Sequence, residues 1–198
     1  VTGALSYGLN FIRGKYVAIY NTEDLPQPDQ LRKAISAFRT HTPDYIGFVT
    51  KPEYFNKNEN LLTRITALEQ SVWTNCLEPG LLRAHLPLPF GRAGTHFDVQ
   101  KLRRIGAWDP FNISEDLDLG MRAAAAGYKV GTIDSLIIKE AHQRLGNWLK
   151  QYTRRIKGCL QTLLVHSRHP GRYIKDAGFI KWLGYNLLAV DTSIIPLL

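Results

Sequence analysis

The sequence predicts an α/β domain. A short β-branched and aromatic run, KYVAIY (Lys15 to Tyr20), is followed by an acidic loop, by the helical pattern DQLRKAISAFRTH, and by a second strand-like run that starts at Tyr45. This order of strand, helix and strand is typical of a βαβ unit. With 198 residues, 44% of them hydrophobic, the chain is long enough to bury one sizeable core.

The loop after the first predicted strand is the first candidate for chemistry. Open α/β sheets place ligands at the carboxyl ends of their strands, and Glu23 and Asp24 follow this strand closely. Adjacent carboxylates can hold a hard divalent cation there, while substrate phosphates and water complete its ligands. Asp is also an ordinary turn residue, so both interpretations are open.

Two amphipathic helices are predicted in the first half of the chain, one on each side of the strand that starts at Tyr45. Their apolar positions are Leu31, Ile35 and Phe38 in the first helix, and Leu61, Ile65, Leu68 and Val72 in the second. Such a stripe normally faces the core of a globular protein. The stretch PLPFGRAGTHF that follows is rich in Pro and Gly. We interpret it as a loop that lies close to a ligand, because glycine permits close backbone approach.

Three carboxylates crowd the start of the next predicted helix. The stretch FNISEDLDLGMRAAAAGYKV places Glu115, Asp116 and Asp118 within four residues, with Ser114 as the expected N-cap and Gly127 as the expected C-cap. An acidic first turn is an ordinary complement to the helix dipole. The same position can hold a carboxylate ionised at the mouth of the helix, as a general base requires. Asp116 is the better candidate for that role.

Positive charge is concentrated towards the C-terminal end. The net charge is +8, and the stretch HQRLGNWLKQYTRRIKG holds many of the lysines and arginines. Its apolar stripe predicts a basic amphipathic helix that lies on a membrane surface or in a protein groove. The charge indicates a polyanionic partner: phosphate, nucleic acid or anionic lipid. Arg154, Arg155 and Lys157 are either an ordinary solvated face or the fixed positive charge that a leaving diphosphate needs.

Four motifs, in order along the chain, resemble those of one known family: YNTEDLPQPDQLRKA, IGAWDPFN, ISEDLDLGMRAAAAGYKV and RLGNWLKQYTRRIKG. They are similar to the cellulose-synthase-like branch of the family 2 glycosyltransferases. The resemblance implies a GT-A fold, which is a Rossmann-like three-layer α/β sandwich, and an inverting, membrane-anchored enzyme. Such an enzyme moves a sugar from a nucleotide donor to an acceptor at the cytoplasmic face of a membrane.

The resemblance also implies a set of site residues. Asp116 matches the catalytic base, and Glu115 matches its acidic partner. The other implied residues are Asn21, Gln151, Arg154 and Lys157 for the donor diphosphate, Glu23 and Asp24 for the metal, and His96, Phe97 and Arg155 for the acceptor. The expected ligands are a divalent cation, Mg²⁺ or Mn²⁺, a hexose donor linked to uridine diphosphate, and a glycan or lipid-linked acceptor.

Three positions depart from the family pattern. Asn21 stands where Asp is usual, Arg155 where Trp is usual, and Tyr152 where Arg is frequent. An amide can ligate a metal but brings no charge. The departures favour an alternative, in which the protein is catalytically weakened and serves as a glycan-binding or assembly subunit in polysaccharide synthesis. A nucleic-acid partner is not expected, because the positive residues accompany an amphipathic stripe rather than exposed aromatic platforms.

The expected organisation has three parts. Residues 1–142 form a GT-A domain without its N-terminal nucleotide-binding part, residues 143–168 form the amphipathic helix with a Gln-x-x-Arg-Trp-like motif, and residues 169–198 form a juxtamembrane segment and the start of a membrane helix. The sequence begins with Val rather than Met, so we interpret it as an internal piece of a longer protein. We expect that protein to be membrane-bound, with its catalytic domain in the cytoplasm.

Overall fold

Strands and helices alternate along the chain, as an α/β domain requires. The computed structural model describes residues 2–90, 94–168 and 170–193. The strands are β1 (Tyr16–Ile19), β2 (Leu25–Pro26), β3 (Tyr45–Tyr54), β4 (Thr95–Asp98) and β5 (Lys129–Lys139). The helices are α1 (Thr2–Leu9), α2 (Gln30–Thr40), α3 (Leu61–Val72), α4 (Glu78–Arg83), α5 (Val99–Arg104), α6 (Glu115–Ala125), α7 (Leu145–Ser167), α8 (Pro170–Ala177) and α9 (Phe179–Ser193). A π-helical segment, Trp73–Leu77, joins α3 to α4.

The described strands form one mixed sheet of five strands in the order β1-β4-β3-β5-β2. β3 and β5 are parallel, and β4 runs antiparallel to both of its neighbours, β1 and β3. β1, β3 and β5 therefore point in one direction, and their carboxyl ends meet at one edge of the sheet. We call this edge the carboxyl edge. The predicted βαβ direction of β1 and β3 is confirmed, although β4 lies between them.

The short strand β2 determines the path of the loop that follows β1. It pairs antiparallel with the end of β5, with Leu25 opposite Ile138 and Pro26 opposite Ile137. β1 and β2 occupy opposite sides of the sheet, so the loop between them has to cross the carboxyl edge. The acidic residues of this loop are thereby placed over the ends of the central strands.

Helices cover both faces of the sheet and give it three layers. On one face, Ala34 and Ala37 of α2 pack on Phe48 and Ile133. The opposite face carries the larger core, which combines residues of the sheet with residues of α5 and α6. Its members include Ile46, Val49, Phe97, Leu102, Leu119 and Ala123. The predicted α/β class is confirmed.

The predicted apolar face of α2 is only partly buried, although the helix itself is confirmed: Phe38 packs against the core beneath it. Leu31 and Ile35 are 55% and 40% exposed, whereas Gln30, Ala34 and Ala37 are buried. The sheet beneath α2 presents bulky side chains, so the helix approaches it with small ones. Two of the three residues of the predicted stripe, Leu31 and Ile35, are left in solvent, which is common on protein surfaces.

The predicted stripe of α3 is also exposed. Asn60 and Thr63 form a capping box that starts the helix. The four apolar positions of the stripe face solvent in this chain, and their exposed fractions are 73% for Leu61, 48% for Ile65, 66% for Leu68 and 46% for Val72. The existence of the helix was predictable from its pattern, but the pattern did not show which face is buried.

The predicted loop PLPFGRAGTHF is only partly a loop. Thr95, His96 and Phe97 lie in β4, where they pair with β1 on one side and, for the last two, with β3 on the other. Residues 91–93 of this stretch lie outside the described residues. A strand in the middle of the sheet gains hydrogen bonds on both edges, and this gain overrides the weak local preference of the sequence.

Helix α7 packs against the start of α6 through a glycine. A Cβ on Gly158 would lie 2.8 Å from the Cβ of Ser114 and 2.9 Å from its backbone nitrogen, so only glycine fits there without a shift. The neighbouring Cys159 joins Leu117 and Met121 in a buried cluster between the two helices. This close contact fixes the position of the first turn of α6.

Two side chains of α7 hold the loop that precedes α6. The Gln161 side chain accepts a hydrogen bond from the backbone nitrogen of Ile113 (3.1 Å) and donates one to the carbonyl of Phe111 (3.0 Å). The buried hydroxyl of Thr162 donates to Oδ1 of Asn112 (3.0 Å). We call this set of contacts the α7 latch. It uses hydrogen bonds to both backbone and side chain, so a small movement of α7 would move the loop.

The predicted juxtamembrane segment contains α8 and α9. Tyr173 of α8 and Tyr185 of α9 are buried and pack with Met121 and Cys159. Among the described residues, no helix combines the length and apolar character needed to cross a bilayer. Residues 194–198, which belong to the predicted membrane helix, lie outside the described residues.

Gly158→Ala should destabilise the fold, while Gly146→Ala in the same helix should not. The new methyl group at position 158 meets the Ser114 backbone, whereas nothing lies within 4 Å of one at position 146. Overpacking costs about 1–3 kcal/mol, and glycine-to-alanine at an open helix position gains roughly 0.5–1 kcal/mol. Urea denaturation of both variants checks this. Equal free energies of unfolding for the two variants would show that position 158 has room for a methyl group next to Ser114.

Candidate active site

The two predicted acidic segments meet at the carboxyl edge. Lys139 is the last residue of β5, and its Nζ lies 3.8 Å from Oδ1 of Asp24 in the crossing loop. The charge of the same lysine acts on the carboxylate of Asp116 at the start of α6, lowering its pKa. Residues that are about 90 positions apart in the sequence therefore share one electrostatic environment.

Asp116 has the environment of a general base. The residue as a whole is half-buried, but its carboxyl group is the more deeply enclosed part. Burial and, to a lesser extent, the adjacent charge of Glu115 raise the pKa of Asp116 to about 7, although the charge of Lys139 opposes both. A base is most effective when its pKa lies near the working pH. The backbone of the residue is also fixed, because its carbonyl accepts a hydrogen bond from the Phe90 nitrogen (3.2 Å).

Asp118 has a different role from Asp116, although only one residue separates them. Its carboxylate pairs with Arg122 (2.7 Å) and with Nε2 of His166 (2.9 Å). Burial alone would raise the pKa of Asp118, but the hydrogen bond from His166 and the charge of Arg122 outweigh burial and lower it. Arg122 also donates to the carbonyls of Ile105 and Ala107. Asp118 therefore braces α6 against its surroundings and is not open to a substrate.

The crossing loop contains a turn that Asp24 closes. The Asp24 backbone nitrogen donates to the Asn21 carbonyl (3.1 Å), and Oδ2 of Asp24 accepts from the Asn21 nitrogen (2.8 Å). Its side chain is 4% exposed, whereas Glu23 is exposed. Asp24 is therefore a turn residue, which was one of the two interpretations of this loop.

The same loop can still contribute to a cation site. Within the described residues, no three His, Cys, Asp or Glu side chains group into a metal cage. A cation that a substrate diphosphate also ligates needs only one or two protein carboxylates. The exposed carboxylate of Glu23 meets that requirement, whereas the enclosed Asp24 would have to share its Oδ1 atom between the cation and Lys139. The donor set fits a shared cation and not a dedicated protein cage.

A buried polar network supports the carboxyl edge from below. The Tyr20 hydroxyl donates to Oε1 of Gln30 (2.8 Å) and lies 3.2 Å from Nε2 of His96. Gln30 donates in turn to the Ser135 hydroxyl and the Leu136 carbonyl, both at 3.2 Å. Burial lowers the pKa of His96, which favours its neutral form. The network ties the end of β1 to β4 and β5.

Two residues predicted to contact the acceptor, His96 and Phe97, are buried. His96 is 3% exposed and Phe97 is 1% exposed. Phe97 packs against Phe90 and Trp108 in the core. Its position is that of a core side chain. The acceptor contact predicted for both residues stays a prediction.

Arg155 is engaged on the surface of α7. Its guanidinium pairs with the carboxylate of Glu69 on α3 at 3.1 Å, and both side chains are about half exposed. The pair links two helices that otherwise expose apolar stripes. A predicted acceptor role for Arg155 would have to compete with this partner.

The predicted donor residues of α7 differ in direction. Gln151 and Arg154 precede Gly158 by seven and four residues, which places them on the helix face that touches Ser114. Lys157 immediately precedes Gly158, so it points about 100° away from that face. All three side chains are exposed. Arg154 is thus the charged residue of this set that shares the helix face of Gly158.

Sequence reasoning missed Lys139, Tyr20 and Gln30. A signal existed for Lys139, because it is a charged residue at the carboxyl end of a predicted strand, the position where open sheets bind ligands. Tyr20 was visible only as the end of a strand. Nothing in the local pattern marks Gln30, whose partners Ser135 and Leu136 lie more than 100 residues away.

Comparisons with known proteins identify the family. Residues 16–196 match the model of glycosyl transferase family group 2. The chain is 27% identical over 140 residues to a protein named probable glucomannan 4-beta-mannosyltransferase 9 from Oryza sativa subsp. japonica, covering 69% of this chain and 26% of that protein. It is 29% identical over 142 residues to glucomannan 4-beta-mannosyltransferase 7 from Arabidopsis thaliana, covering 69% and 25%. The chain therefore spans about a quarter of the length of these relatives.

The fold is also shared with a solved structure. A mannosyltransferase from Pyrobaculum calidifontis, in complex with GDP-Man and Mn²⁺, superposes with a TM-score of 0.65 at 17% identity, covering 97% of this chain and 52% of that chain. The likeness confirms the GT-A fold predicted from the motifs. Since the family model matches nearly the whole sequence, the chain belongs to glycosyl transferase family group 2.

Proposed function

We propose that the protein transfers a hexose from a nucleotide diphosphate to a hydroxyl group of a glycan in polysaccharide synthesis, with inversion at the anomeric carbon. The observation that carries this proposal is the enclosed carboxylate of Asp116, whose pKa is raised to about 7, at the same edge as the Asp24 loop. A base and a candidate diphosphate loop on one edge are what such a transfer needs.

Asp116 acts on the acceptor. Its carboxylate takes the proton of the acceptor hydroxyl while that oxygen attacks the anomeric carbon. The bond from the anomeric carbon to the diphosphate oxygen breaks, and the diphosphate leaves with the electron pair. Attack from the face opposite the leaving group inverts the configuration. Glu115 keeps the pKa of Asp116 high, which strengthens the base once it is deprotonated.

Positive charge stabilises the leaving diphosphate. Arg154 lies on the face of α7 that is directed towards α6, and Gln151 on the same face can donate a hydrogen bond. A divalent cation, held by Glu23 and by Oδ1 of Asp24, would offset the negative charge that develops on the diphosphate. The Mn²⁺ in the structure of the Pyrobaculum calidifontis mannosyltransferase supports this cofactor.

The comparisons favour mannose as the hexose. Two curated relatives are named mannosyltransferases, and the solved structure contains GDP-Man. The motifs led us to expect a uridine-linked donor. We therefore propose GDP-mannose as the donor, with UDP-hexoses as the alternative to be tested.

Helix α7 is also the proposed contact with a membrane. Leu145 and Leu149 are 60% and 48% exposed in its first turns, and the exposed Lys150 follows them. Exposed apolar and cationic residues on one helix are typical of binding at the interface of an anionic bilayer. In this proposal, the catalytic domain works at the cytoplasmic surface, next to a lipid-linked or glycan acceptor.

A catalytically weakened subunit is the second candidate function. The observation that favours it is the exposed amide of Asn21 at a position where the family usually supplies a carboxylate. With Asp24 largely enclosed, Glu23 is the one fully open carboxylate of the crossing loop. A glycan-binding or assembly role would use the same edge without requiring the base.

Asp116→Asn should abolish transfer without unfolding the protein. Loss of a general base lowers kcat about 10²–10⁴-fold. The carboxyl pKa is 3.8 in an unfolded chain and about 7 in the folded one. Protonation therefore favours the folded state, and this stabilisation is lost as the pH rises through 7. The Asn variant should melt above the wild type at pH 8. Near-normal turnover by the full-length variant would exclude Asp116 as the base.

The rate should depend on the protonation of Asp116. Because the base must be ionised, kcat/KM should rise with pH and level off above about 7. The measurement is initial-rate kinetics of the full-length protein between pH 5 and 9, with a stability check at each pH. A profile that is flat between pH 5 and 8 would contradict the enclosed environment of the carboxyl group.

Nucleotide binding separates the candidate functions and the two donors. Isothermal titration of the full-length protein with GDP or UDP, each in the presence of Mn²⁺, should give micromolar affinity for GDP and at least about tenfold weaker binding of UDP, which corresponds to about 1.4 kcal/mol. Arg154→Ala should weaken binding, while Lys157→Ala serves as a matched control that points elsewhere on α7. No binding of either nucleotide would favour the weakened subunit.

A further inference from the structure

Lys139 occupies a position between the two halves of the site. It ends β5, and its side chain is 21% exposed. In the register of β2 and β5, Leu25 lies opposite Ile138. Asp24 and Lys139 are the next two residues in that antiparallel register, and they therefore form a cross-strand pair of opposite charge. The backbone pairing of β2 with β5 is therefore enough to place the Lys139 ammonium beside the Asp24 carboxylate.

The pair lies in an environment where charge matters. The Asp24 side chain is 4% exposed, so its carboxylate has little water to solvate it. A buried charge without a partner is costly. The backbone N–H of Asn21 donates a hydrogen bond to Oδ2 of Asp24, and the Lys139 ammonium lies 3.8 Å from Oδ1 of Asp24. Together they account for both oxygens of Asp24.

The charge of Lys139 also acts on the carboxylate of Asp116. Two charged groups act on this carboxylate: Glu115 from its own helix and Lys139 from β5. The segment between α4 and β4 contributes the neutral backbone nitrogen of Phe90, which donates a hydrogen bond to the Asp116 carbonyl. Lys139 is therefore the positive group that balances the effects of burial and of Glu115.

We propose that Lys139 is a positioning residue of the transfer reaction: its pairing with Asp24 at the end of β5 holds the crossing loop over the carboxyl edge, and its charge favours the ionised form of the base at the start of α6. The proposal rests on the proposed function. In this arrangement, Lys139 and the divalent cation share Asp24. Like charges repel, so the lysine weakens cation binding while it favours the ionised base.

This double role gives a signature that simple structural damage would not produce. Lys139→Met should move the acidic limb of the kcat/KM profile to higher pH, with a roughly three- to tenfold loss at pH 6 and a smaller loss at pH 9. The same variant should bind Mn²⁺ more tightly than the wild type in the presence of saturating GDP, which supplies the diphosphate ligands, as measured by titration calorimetry. The rate at low pH falls, whereas the affinity for Mn²⁺ rises.

The chain offers matched controls. Lys139→Arg keeps the charge and should restore both the pH profile and the Mn²⁺ affinity of the wild type. Lys51→Met removes an ion pair on the same sheet, with Asp134 at 3.3 Å, that is open to solvent, and it should change neither. If Lys139→Met does not fold, Lys139→Gln retains a polar tip and carries the same measurements.

The outcome can be separated from that of the proposed function. The pKa of Asp116, measured by ¹³C NMR of the labelled carboxyl group, should rise in Lys139→Met even if no transfer is detected for any variant. A raised pKa without transfer would support the positioning role and reject the function. Unchanged Asp116 titration together with unchanged Mn²⁺ affinity would overturn the role of Lys139.

Discussion

The pairing of the two-residue strand β2 with the end of β5 is the constraint on which the site depends. β1 and β2 lie on opposite sides of the sheet, so their pairing partners force the intervening loop across the carboxyl edge. Without β2, Glu23 and Asp24 would follow β1 into solvent as ordinary turn residues. With it, the loop lies beside Lys139 and within the field that acts on Asp116.

The carboxylates of this region differ because their surroundings differ. Asp118 is enclosed, yet Arg122 and His166 hold it ionised. Asp116 is enclosed beside a like charge, and its pKa rises to about 7. One is stabilised as an anion and braces α6, while the other can exchange a proton near neutral pH. Environments that push two acids apart in pKa commonly mark the division between structural and catalytic roles.

The sequence predicted the main strands and helices, the direction of β1 and β3, and the convergence of the two acidic segments. It did not predict which helix faces are buried. Periodicity shows that α2 and α3 have two faces, but only the partner decides which face packs, and the bulky sheet beneath α2 selected Ala34 and Ala37. The end of a predicted strand could have marked Lys139 as a candidate, but its pairing with Asp24 was not predictable, because it depends on the register of β2, a strand too short to carry a pattern.

The departures from the family pattern change the charge of the site more than its geometry. At position 21, the backbone nitrogen and carbonyl form the turn with Asp24, and an Asn side chain leaves both in place. Arg155 has a structural partner in Glu69, so its replacement of an aromatic residue gives α7 a tie to α3. The latch from Gln161 and Thr162 to the loop before α6 is likewise complete. Asp116 has the enclosed environment and the raised pKa that the proposed transfer requires of its base. Because none of the three departures touches that carboxylate, the missing charge at position 21 bears on cation binding and not on the base.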